Sequence, residues 1–155
     1  MNFCGIDQSI TNTGIVIIDE YGKIVENLSI GFSKFIVPER HIQIYNFFSS
    51  FVKNRHNTVF GVEDYAFGKV FKRETMGALR GIIELVFAQN NIPLEIVPIK
   101  KHRKGSVGNG NYSKEKSIDK IKIIYGHEFK TKDEYDAFSI AVFLLKNFHS
   151  TVLIK

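Results

Sequence analysis

An apolar strand that runs straight into a single carboxylate constrains this chain more than any other feature. Asn2-Phe3-Cys4-Gly5-Ile6-Asp7 leads into a turn rich in Ser, Thr, Asn and Gly, and the apolar run Ile15-Val16-Ile17-Ile18 follows, ending at Asp19. Strand, polar turn, strand is the pattern of an antiparallel pair. A carboxylate at a buried strand end is costly unless something cationic meets it. Hydrogen bonds from turn amides would answer the same need, so on this motif alone a satisfied carboxylate and a metal ligand are level readings. Three later carboxylates at matching positions tip the balance towards metal.

The chain has 155 residues and is expected to form one domain, 1–155, that buries roughly two-thirds of the surface its unfolded form would expose. Cys4 is the single cysteine, which excludes an internal disulfide and a thiolate cluster. There is no signal core, and no apolar run nears the roughly 20 residues that span a bilayer, so no membrane partner is expected. The chain therefore reads as cytoplasmic, in a bacterial cell or in a host if it is phage-encoded. Its net charge is +5, and the placement of that charge is more telling than its size. Lys100, Lys101, Arg103, Lys104, Lys114 and Lys116 stand against Glu115 alone between positions 100 and 116, and the rest of the chain balances to zero. A concentrated basic patch favours a polyanion such as nucleic acid.

After the turn at Asp19 to Gly22, residues 23–30 alternate loosely between apolar and polar and read as a third strand, completing an antiparallel meander. Pro38 suits the first turn of a helix running to about Arg55, with Ile42, Tyr45, Phe48 and Val52 as its core stripe. Thr58 to Glu63 is a short strand that again ends in a carboxylate. A loop from Asp64 to Arg73 precedes a helix from Glu74 to Gln89, with Met76, Leu79, Ile83 and Phe87 on one face. Gly77 and Gly81 each cost that helix up to about 1 kcal/mol relative to Ala, which points to tight packing within the subunit or between subunits. Pro93 to Pro98 is a fifth strand, and a basic loop follows it. Ser113 can cap a helix carrying Ile118, Ile121 and Ile124, and the last helix spans Asp133 to Phe148. The expected fold is α/β, a mixed sheet with helices on both faces. Sites in such sheets form at the carboxyl ends of parallel strands. If the strands ending at Asp7 and Glu63 are parallel neighbours, their carboxylates face each other.

Asp133 and Asp136 lie three apart at the start of the last helix, so they point the same way. Plain helix capping explains that pair by itself. Together with Asp7 and Glu63, however, it makes four acids that would repel strongly without an adjacent cation for each, unless divalent ions compensate. Oxygen-only ligands select Mg²⁺ or Mn²⁺ over zinc. Two such ions about 4 Å apart can activate water and stabilise a leaving oxyanion, which is the chemistry of phosphodiester hydrolysis.

Gly5-Ile6-Asp7 with Thr13-Gly14, then Val62-Glu63, then Val107-Gly108-Asn109-Gly110 with lysines after it, then Asp133-Glu134-Tyr135-Asp136-Ala137 form an ordered set. That set resembles the RuvC-type Holliday junction resolvases of the ribonuclease H-like superfamily over nearly the whole chain. The resemblance implies a ribonuclease H-like fold, with three antiparallel strands followed by two parallel ones. It also implies a homodimer packed through the central helices, and paired symmetric nicks across four-way DNA junctions using Mg²⁺ or Mn²⁺. Asp7, Glu63, Asp133 and Asp136 would be the metal-binding catalytic acids. Lysines around the Gly-x-Gly would contact phosphate, and here these fall near Arg103 or Lys104 and near Lys114 or Lys116. An aromatic wedge into the junction would fall at Tyr65 or Phe67, with Phe71 further on.

The five histidines show no ligand spacing, and most read as surface or internally satisfied residues, with His102 one candidate for a phosphate contact. No Ser-His-Asp set can be argued, and Gly108-Asn109-Gly110 lacks the further glycine of a dinucleotide fingerprint. Other readings are a nuclease for flaps, three-way junctions or RNA–DNA hybrids, a non-catalytic branched-DNA module, and half of a sugar-kinase-like ATPase. The last needs far more than this length.

Overall fold

The computed structural model describes residues 1–64 and 70–152. The order of elements is β1 (Asn2–Asp7), β2 (Thr13–Asp19), β3 (Ile24–Ile30), α1 (Glu39–Val52), β4 (Thr58–Glu63), α2 (Val70–Gln89), β5 (Leu94–Val97), α3 (Ile99–Val107), α4 (Lys114–Tyr125) and α5 (Lys132–Val152). The strands form one sheet in the order β3-β2-β1-β4-β5. β1–β2 and β2–β3 are antiparallel, whereas β1–β4 and β4–β5 are parallel. The expected sheet is therefore present. The central strands are buried on both faces, which is why they read as unbroken apolar runs. β3 lies at the edge and alternates between half-buried and exposed positions.

Helices α1 and α2 cover one face, where Ile44, Phe48, Leu79, Ile83 and Phe87 meet Cys4, Ile6 and Phe60. Helix α5 lies across the other, where Ala137, Phe138 and Ile140 meet Phe3, Val16 and Ile18. Two glycines set how closely it lies. A Cβ at Gly5 would run into the Ala137 carbonyl, and one at Gly14 would run into the Asp133–Glu134 peptide. Since Gly14 pairs with Asp7 across the β1–β2 ladder, the missing side chain lets the start of α5 settle onto the strand end that carries Asp7.

Several expectations change. The stretch after Pro98 is a helix, α3, not a basic loop. Its periodic stripe is Ile99, His102, Arg103, Ser106 and Val107, in which His102, Ser106 and Val107 are buried. Two of those positions are polar and one is basic, so the stripe is hidden from a search for apolar residues. In α1 the buried residues are Ile44, Phe48, Phe51 and Val52, while Ile42 and Tyr45 are exposed. Of the expected stripe, Phe48 and Val52 are therefore on the buried face, and Ile44 and Phe51 take the places expected for Ile42 and Tyr45. Ile124 of α4 likewise faces outwards. Helix α2 already includes Val70, four residues before the expected start.

Candidate metal centre

The parallel β1–β4 ladder pairs Ile6 with Val62, so the next residue of each strand, Asp7 and Glu63, emerges at the same end of the sheet. The start of α5 supplies the other two acids. Its N-terminus is capped by a different pair of residues: Glu134 N donates to Thr131 Oγ1 (3.3 Å), and Thr131 N donates back to Glu134 Oε2 (2.8 Å), a reciprocal capping box. Asn27 of β3 donates to Glu134 Oε1 at 2.8 Å. Capping therefore does not account for Asp133 and Asp136, and both turn towards the strand ends.

Lys114, the first residue of α4, joins the acids. Its Nζ lies 3.3 Å from Asp7 Oδ2, 2.7 Å from Asp133 Oδ1 and 2.9 Å from Asp136 Oδ2. Arg103 of α3 reaches Asp136 Oδ1 at 3.4 Å and the Tyr112 carbonyl at 3.1 Å. The expectation that no cation stands beside these acids is thus corrected, because helices distant in sequence deliver two. Asn12 of the β1–β2 turn donates to Asp133 Oδ2 at 3.1 Å.

Glu63 is held differently. His102, fully buried, places Nε2 2.9 Å from Glu63 Oε1 and Nδ1 2.9 Å from Ser139 Oγ on α5. Behind Glu63, Gln8 donates to its backbone carbonyl at 3.2 Å, and buried Arg80 of α2 donates both to that carbonyl and to Gln8 Oε1. The end of β4 is thereby fixed from both faces of the sheet. His102 had been read among surface or satisfied residues, with phosphate as its one candidate partner. It sits instead against the Glu63 carboxylate, and the helical stripe of α3 was the signal that would have located it.

Burial, reinforced by the Glu63 charge, holds the Asp7 carboxyl well above the usual carboxylate range even though Lys114 opposes it. Burial also pushes Glu63 up to about 7, helped by the Asp136 charge and opposed by a hydrogen bond from Asp7. His102 is pushed down to about 4, chiefly by burial, and is neutral. Burial disfavours the Lys114 ammonium, but Asp7 and Asp136 outweigh it and keep the group charged above its ordinary range. Four carboxylates share one ammonium and one guanidinium, and burial raises two of them, Asp7 and Glu63, so the cluster is short of positive charge. Its oxygen donors fit a hard divalent cation, and Glu63, His102 and Asp136 offer ligand atoms within 4.8 Å of one another.

The remaining basic residues divide into two groups. Lys100, Lys101 and Lys104 lie on the exposed side of α3. Lys116 is exposed, with its ammonium 4.4 Å from the Tyr112 ring centroid. Arg103 and Lys114, expected to point at DNA, instead face the acids. Tyr65 and Phe67 lie outside the described residues, as does the side chain of Phe71.

Fold and site together define a ribonuclease H-like domain with an acidic centre at the carboxyl ends of its parallel strands. The family model described as "Crossover junction endodeoxyribonuclease RuvC" matches residues 3–144. The chain belongs to that family, which is metal-dependent. A crossover junction endodeoxyribonuclease RuvC from Chloroflexus aggregans is 25% identical over 149 residues, covering 92% of this chain and 91% of the relative. The RuvC structure from Thermus thermophilus superposes with a TM-score of 0.80 at 18% identity, covering 97% of this chain and 98% of that one. The fowlpox virus resolvase in complex with Holliday junction DNA superposes with a TM-score of 0.55 at 13% identity, covering 99% of both chains. No described helix is long and apolar enough to cross a membrane.

Proposed function

We propose that the whole chain works as one nuclease domain that resolves four-way DNA junctions by paired, metal-dependent phosphodiester hydrolysis. The observation that carries this reading is the convergence of Asp7, Glu63, Asp133 and Asp136, drawn from two strands and a helix, at one end of the sheet, where Lys114 meets Asp7, Asp133 and Asp136 and His102 meets Glu63. These four residues would hold Mg²⁺, two ions per site, with Mn²⁺ able to substitute. Bound there, the ions supply an activated water and stabilise the leaving oxyanion. Asp7, the most central of the acids, would touch both positions, with Glu63 and Asp136 completing the ligand shells. Asp133, the most exposed of the four, would serve as a ligand or as general base. Lys114 and Arg103 would bring positive charge to the scissile phosphate. Lys100, Lys101, Lys104 and Lys116 would grip backbone phosphates, setting affinity and salt dependence more than sequence choice.

A C₂ dimer would present two such sites to the near two-fold symmetry of a junction. Gly77 and Gly81 of α2 support it: a Cβ at either meets nothing within 4 Å among the described residues, so close packing inside the subunit does not account for them.

The test is cleavage of labelled synthetic DNA by wild type and by Asp7→Asn, comparing a four-way junction, a flap, linear duplex and an RNA–DNA hybrid, with and without Mg²⁺. Symmetric junction nicks that need metal and vanish in the variant are expected. Cleavage of the hybrid without the junction would replace the substrate, and tight junction binding with no cleavage in either metal would leave a binding module.

A further inference from the structure

His102 is held between two partners: its Nδ1 stands 2.9 Å from Ser139 Oγ, which is hydrogen-bonded in turn to Ser106 Oγ, and its Nε2 stands 2.9 Å from Glu63 Oε1. With Ser139 accepting from Nδ1, the neutral ring presents its Nε2 lone pair towards Glu63. Metal bonds of about 2.1 Å at right angles put two donors about 3.0 Å apart, so the Nε2–Oε1 separation suits a shared ion. Asp136 supplies a third donor, and the three ligand atoms lie within 4.8 Å of one another.

We propose that His102 is a direct nitrogen ligand of the metal centre, making the Glu63–Asp136 position a mixed nitrogen and oxygen site rather than an all-carboxylate one. The Ser139–Ser106 relay is the outer shell that sets the tautomer and aims the ring, as the partners of ligating histidines generally do. An imidazole in the set favours Mn²⁺ and later transition ions over Mg²⁺, which prefers oxygen alone. This inference rests on the proposed metal-binding role of the acids, and it adds a ligand from α3 that lies outside the four-acid set.

The test uses tag-free protein carrying ¹⁵N-labelled histidine, loaded with Mn²⁺ in the absence of DNA and read by pulsed electron paramagnetic resonance. Wild type is expected to show ¹⁵N coupling to the bound ion. His102→Gln is expected to lose that coupling and to bind Mn²⁺ about tenfold or more weakly by calorimetry, with a smaller change for Mg²⁺. The wild-type spectrum stands even if the variant folds poorly, and circular dichroism checks the variant. Mn²⁺ bound without nitrogen coupling, or coupling that survives in a folded His102→Gln, would overturn the inference and leave the carboxylate site intact. No Mn²⁺ binding at all would overturn the carboxylate site as well.

Discussion

Under α1 and α2 the sheet meets a dry, aromatic layer in which Phe47, Phe48, Phe51, Phe60 and Phe87 stack mostly edge to face. Under α3 and α5 the opposite face also buries His102, Ser106, Asp136 and Ser139, and helix backbone comes so close to the strands that Gly5 and Gly14 have no room for a Cβ. The first face is held by area and shape, and its energy is non-directional. The second adds hydrogen bonds and charge pairs whose partners must each be in place. A polar centre that tolerates little misplacement is thus braced by a face that contributes mainly packing, together with the Arg80 contacts to Gln8 and the Glu63 carbonyl.

Substitutions on each face should separate these roles. Gly5→Ala is expected to be the most damaging, because the added methyl meets the Ala137 backbone and cannot be absorbed by a rotamer change. A loss of more than about 4 kcal/mol, or failure to fold, would appear in urea denaturation. Phe48→Ala opens a cavity in the aromatic layer and should cost about 3–5 kcal/mol, while metal-dependent cleavage at low temperature persists because no site residue moves. Loss of cleavage in a folded Phe48→Ala protein would show that the two faces are not separable.

The acidic centre should burden stability in a pH-dependent way. Folding raises Glu63 from its ordinary 4.5 to about 7, so the native state binds the extra proton and wild-type stability from this group falls as pH rises across that window. His102, lowered from 6.5 to about 4, acts in the opposite sense, losing stability as pH falls from about 6.5. Comparison with Glu63→Gln isolates the first effect. In metal-free buffer the variant should gain on wild type by about 1–3 kcal/mol between pH 5 and pH 8, and a constant difference would contradict the raised Glu63. The smallest effect concerns α3: Lys104→Ala should weaken binding to all DNA forms alike and lower the slope of log affinity against log salt by about 1.

Much of this was readable along the chain. Asp7 and Glu63 each end a short apolar strand, and the parallel pairing that brings them together follows from the order of elements. The pair Asp133 and Asp136 carries its own helical spacing. The cations were legible as a charge window but were assigned to DNA, because nothing local tells that Arg103 and Lys114 turn inwards while Lys100, Lys101 and Lys104 turn out. His102 was missed because its helix buries polar side chains, so a test for apolar periodicity passed over it.

Local pattern by itself determined the strands and marked the four acids at strand ends and at a helix start, since those depend on neighbours two to four residues apart. Only the tertiary structure decided which cation meets which acid, that Thr131 and Glu134 release Asp133 and Asp136 from capping, and that His102 stands behind Glu63. These pairings join residues dozens of positions apart, and what selects them is the requirement that a charge or polar group taken out of water find its partner there.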